Sequence, residues 1–105
     1  RASKNVNHDS TCFHAQQCVE KYLKAVLVNL GISFPKTHDL LSLLTLGLSR
    51  HALWQAWHDE VEWLSQYAVL FRYPGESAKH ADAKKAIGIM KKLCPDLRHA
   101  LRLTP

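Results

Sequence analysis

Seven histidines and three cysteines in 105 residues make metal binding the first chemistry to consider. No Cys-x-x-Cys pair and no His-x3-His pair exists, and the nearest approach to ligand spacing is His14 with Cys18, at i and i+4 of a helix. Two ligands do not make a site, so no metal and no cofactor is expected, and Cys18 reads as a small buried hydrophobe. Nucleophilic catalysis has no better footing. Ser10, Ser42 and Ser65 fall in helical or capping contexts with no strand-turn-helix elbow, and the four glycines are isolated and build no phosphate loop.

Phosphate recognition has more support. His14, Gln16, Gln17, Glu20, Lys21 and Lys24 place donors, acceptors and two cations along one segment. That surface can read a nucleotide or simply be hydrated. The stretch Lys36-Thr37-His38-Asp39-Leu40 and the corner Arg72-Tyr73-Pro74 each put a cation beside a rigid turn. Arg72 can clamp a phosphate through two parallel hydrogen bonds and Tyr73 can stack on a base; the plainer role for Arg72 is a salt bridge or a helix C-cap. The net charge of +5 is strongly localised. Residues 77–105 carry seven basic against two acidic groups, whereas residues 1–76 balance seven against seven. A basic segment of this kind attracts phosphate or an acidic partner, or forms a solvated helix face.

The elements that must position these groups are helices. Few Gly and Pro interrupt the chain and no period-two alternation appears. Cys12, Ala15, Val19, Tyr22 and Val26 step by three and four, predicting a helix from about Asp9 to Leu30, capped by Asp9, Ser10 or Thr11 and stopped by Gly31. Thr37 is placed to cap a short helix from Asp39 to Leu46. Trp54, Trp57, Val61, Leu64, Ala68 and Phe71 form a heptad seam, predicting one long helix from Arg50 to Phe71. After the Pro74-Gly75 turn, Ser77 is placed to cap a last helix with core positions Ala83, Ala86, Ile87, Met90 and Leu93 or Cys94; Pro95 then kinks it or begins another. The expected fold is a single all-α domain over residues 1–105, an antiparallel up-and-down bundle of four to five helices. No apolar run is long enough to span a membrane, Arg1 to Asn5 has no signal-peptide core, and three unpaired-looking cysteines suit a reducing cytoplasmic setting.

The phrase from Cys12 to Ala25, followed in order by Gly31-Ile32, Thr37-His38-Asp39-Leu40 and Arg72-Tyr73-Pro74, resembles the HEPN domain family (higher eukaryotes and prokaryotes nucleotide-binding). The resemblance implies a bundle of about five helices, the first of them truncated here. It also implies a cytoplasmic homodimer in RNA metabolism that binds a nucleotide or RNA and works with a partner such as a minimal nucleotidyltransferase. The ligand-binding surface expected for that role combines His14, Gln17, Lys21, Lys24, His38, Arg72 and Tyr73 with the cations after Ser77. Some members are metal-independent ribonucleases of toxin–antitoxin systems, with an Arg followed after four to six residues by a His. Here the candidates Arg72 and His80 are separated by seven residues, so catalysis by that pair departs from the family pattern. A purely structural dimerisation or adaptor module is the remaining alternative.

Overall fold

A computed structural model describes residues 2–69 and 77–103, with side chains for residues 8–69 and 77–102. Among them are four α-helices and one 3-10 helix, with no strand: α1 (Ala2–Asn29), α2 (Leu40–Gly47), a 3-10 helix (Ala52–Trp57), α3 (His58–Ser65) and α4 (His80–Leu103). The all-helical fold expected from the periodicity is thus observed.

Of the predicted stripe of α1, Cys12, Ala15, Val19 and Val26 are buried, joined by Leu23 and Leu27, whereas Tyr22 is only half-buried. The helix begins well before Asp9, however. Asp9 is no cap, because its Oδ1 accepts the Ala78 N–H at 2.6 Å and ties α1 to the segment leading into α4. Gly31 ends α1 as predicted. It sits at φ 73°, with its own N–H on Val28 O at 3.0 Å and the Ile32 N–H on Leu27 O at 2.9 Å, the two bonds of a Schellman stop.

Asp39, not Thr37, caps α2. Its Oδ1 accepts the Leu41 N–H at 3.1 Å and its Oδ2 accepts the Ser42 hydroxyl at 2.8 Å. The Thr37 hydroxyl instead accepts the Asp39 N–H at 3.0 Å. The long helix predicted from Arg50 divides at His58. Residues 51, 54 and 57 are spaced by three, and their rings form a ladder: His51 lies 4.0 Å from Trp54, and Trp54 lies 5.0 Å from Trp57, both nearly parallel. Three residues per turn align such a ladder, whereas an α-helix would offset successive rings. Trp54, Trp57, Val61 and Leu64 are buried as the seam required, and Tyr67, which the seam omitted, is buried with them. Phe71 lies outside the described residues.

At the start of α4 the Lys79 N–H donates to Asp82 Oδ2 at 2.9 Å, so the reciprocal half of a capping box replaces the predicted Ser77 cap. Pro95 lies inside α4, and no separate last helix forms. Its missing N–H orphans a single carbonyl one turn back, on a solvent-facing side of the helix. Ile89, Leu97 and Ala100 join Ala83, Ala86, Leu93 and Cys94 in the core, while Ile87 is only half-buried.

The most extensive helix packing is α1 against α4. Contacts climb both helices together, from His8–His80 through Cys18–Cys94 to Tyr22–Arg98, so this pair runs in the same direction. The antiparallel packing is made by α3 on α4, where Lys85 covers Trp63 and Lys92 reaches back to Glu60. No described helix is long and apolar enough to cross a membrane.

Candidate nucleic-acid interface

The polar side of α1 divides into a covered part and an open part. Gln16 and Glu20 are 0% and 5% exposed, although sequence patterning groups them with the hydrated residues. The Gln16 amide donates to His38 O at 3.0 Å and to Glu20 Oε1 at 3.2 Å, and Gln17 donates to Gln16 Oε1 at 2.8 Å. Glu20 Oε2 accepts from Lys24 Nζ at 3.0 Å and from His38 Nδ1 at 2.9 Å, which requires the proton on that ring nitrogen. Burial alone would raise the Glu20 pKa, but hydrogen bonds from His38, Lys24 and Gln16, with the Lys24 charge, outweigh it and hold the carboxyl below its ordinary range. Three predicted ligand residues, Gln17, Lys24 and His38, therefore meet in one network whose visible work is to fasten the α1–α2 loop to α1.

The remaining predicted residues are dispersed. His14 is exposed with its ring edge-on to Phe13, and Lys21 is exposed with no polar partner among the described residues. His80 is exposed at the first position of α4, its ring edge-on to His8 with centroids 5.6 Å apart. Arg72 and Tyr73 lie outside the described residues. The His14–Cys18 spacing builds no ligand pair, because Cys18 Sγ faces Cys94 Sγ at 3.5 Å. His58, Asp59 and Glu62 bring potential ligand atoms within 4.8 Å of one another at the start of α3, but on an open surface where Asp59 is 99% exposed.

The cations of α4 are sorted by the fold. Lys85 lies 4.3 Å over the Trp63 ring and Lys92 Nζ meets Glu60 Oε1 at 2.7 Å, so this row is taken up against α3. On the other side Lys84, Gly88, Lys91, Pro95, Arg98 and Arg102 step by four and three along one exposed line. The line extends for roughly 27 Å at the helical rise. Two depressions follow it. One, of about 350 Å³, is lined by Thr11 of α1 with Ala83, Lys84, Ile87, Gly88 and Lys91; the other, of about 240 Å³, by Pro95, Arg98, His99 and Arg102. The acidic groups of α4 lie off this line: Asp82 closes the helix start, and Asp96 lines a separate pocket with His51, Trp54, His99 and Ala100. Arg98 also lies 5.9 Å from the Tyr22 ring centroid, which orients it over α1. A larger depression of about 430 Å³ along α2 contains Asp39, whose carboxyl is held ionised by the Ser42 hydroxyl, against burial, and by the Leu41 N–H. Its charge has the wrong sign for phosphate.

The sequence marks the cations after Ser77 as a phosphate-attracting segment but does not by itself separate the open line from the row taken up by α3, although one signal is present: cations at 84, 91 and 98 recur every seven residues. A family profile described as HEPN domain matches residues 1–99 of the chain. No curated protein and no solved structure matches it.

Proposed function

The chain belongs to the HEPN domain family, and from that premise we propose that it binds RNA or nucleotide phosphates along the outward line of α4 and acts with a partner protein. The observation that carries this reading is the division of the α4 cations. Lys85 and Lys92 are engaged with α3, while Lys84, Lys91, Arg98 and Arg102 line two concave sections in which, among the described residues, no carboxylate takes part. Four cations neutralising phosphates release condensed counterions, and Arg98 and Arg102 can each grip a phosphate through two hydrogen bonds. Tyr73 supplies a base-stacking ring in this reading, and a minimal nucleotidyltransferase or a second copy of the chain supplies the partner.

Cleavage is not part of the reading, since the seven residues between Arg72 and His80 exceed the family's catalytic spacing. Anisotropy titrations of a labelled single-stranded RNA across a potassium chloride series test it. The expected log–log salt slope is about −3, and each Lys or Arg to Ala change on the line should reduce its magnitude by about 0.7. Equal losses in Lys84→Ala and Lys92→Ala would refute the line. RNA cleavage in EDTA that disappears in His80→Ala would replace this reading with a ribonuclease.

A further inference from the structure

We propose that Cys18 and Cys94 form an oxidation site, at which a peroxide joins the two side chains in a disulfide that clamps α1 to α4. The thiols are 76 residues apart in sequence, yet their sulfurs are 3.5 Å apart, and both are free. A disulfide requires about 2.05 Å, so the sulfurs must close by roughly 1.5 Å. The register is already set. One turn further along each helix Arg98 lies over Tyr22, and Tyr22 and Arg98 are the i+4 neighbours of Cys18 and Cys94. The third thiol, Cys12, is fully buried.

Accessibility sets the order of events. Cys18 is half-buried and Cys94 is 6% exposed, so peroxide meets Cys18 first. Burial, with the adjacent Cys18, pushes the Cys94 thiol up to about 12, which keeps it protonated at neutral pH. The Cys18 sulfur displaces hydroxide from the peroxide to give a sulfenic acid, and its thiol proton leaves with that hydroxide as water. The Cys94 sulfur then attacks the Cys18 sulfur and expels a second hydroxide, which takes the Cys94 proton as water. Two thiols are oxidised, one peroxide is reduced, and two waters form. The proposal is independent of RNA binding.

Peroxide treatment of the folded chain, followed by thiol counting in denaturant and peptide mapping, tests it. The expected result is loss of two of the three thiols, with Cys12 retained and a linked peptide pair carrying Cys18 and Cys94 that dithiothreitol separates. In Cys94→Ser, a dimedone-reactive sulfenic acid should persist on Cys18; in Cys18→Ser, Cys94 should stay unmodified. Circular dichroism establishes that both variants fold. Three remaining thiols, a link involving Cys12, cross-links between chains, or overoxidation of Cys18 without a link would each overturn the proposal.

Discussion

Glu20 and His38 are 18 residues apart in the chain, and the His38 Nδ1 lies 2.9 Å from the Glu20 carboxylate. The glutamate side chain is 6% exposed, the histidine 67%. A buried anion on α1 thus holds a surface loop through an imidazole that water can reach.

Replacing Glu20 with Ala should cost about 1–3 kcal/mol, because Gln16 is fully buried and loses one of its acceptors while the loop loses its anchor. Glu20→Gln should cost less. Urea unfolding with an unchanged m-value would check both.

Stability should fall on acidification in two stages. His51 is shifted below its ordinary 6.5, first by burial and then by the Arg50 charge. Its contribution is complete above pH 6.5 and is lost as pH falls through the lowered value. Glu20 and Asp39 are shifted below their ordinary 4.5 and 3.8, so their contributions are present above those values and disappear as pH falls through the folded ones. His51→Phe retains a ring against Trp54 and should flatten the upper stage alone. Glu20→Gln should flatten part of the lower stage. Thermal midpoints from pH 3 to 8 supply the comparison.

Two glycines should respond oppositely to alanine. Gly31 has φ 73°, so Gly31→Ala should cost roughly 1–2 kcal/mol. At Gly47 an added Cβ meets Trp54 at 3.7 Å and Leu27 at 3.9 Å, ordinary contact distances. Gly47→Ala should therefore be neutral or stabilise by up to about 1 kcal/mol. A paired denaturation series reads both.

The two cation rows of α4 should separate in their effects. Lys85→Ala and Lys92→Ala should each lower stability by up to about 1 kcal/mol and leave RNA affinity unchanged. Lys84→Ala and Lys91→Ala should weaken RNA binding and leave the thermal midpoint in place. Melting curves and anisotropy on the same four proteins make the comparison.

The sequence by itself determined the all-helical fold, the buried stripe of α1, the stop at Gly31 and the confinement of positive charge to residues 77–105. The first three are properties of neighbours a turn or two apart, where residue type and spacing act directly, and the last is a plain count along the chain. Only the tertiary structure decided that Gln16 and Glu20 are covered and that Trp54 and Trp57 stack along a 3-10 helix. It also decided which α4 lysines remain open. Polar residues on both flanks of a hydrophobic stripe look alike in one dimension. Which flank stays wet depends on where a distant segment docks: the His38 loop on one side of α1, and Glu60 and Trp63 of α3 on one side of α4.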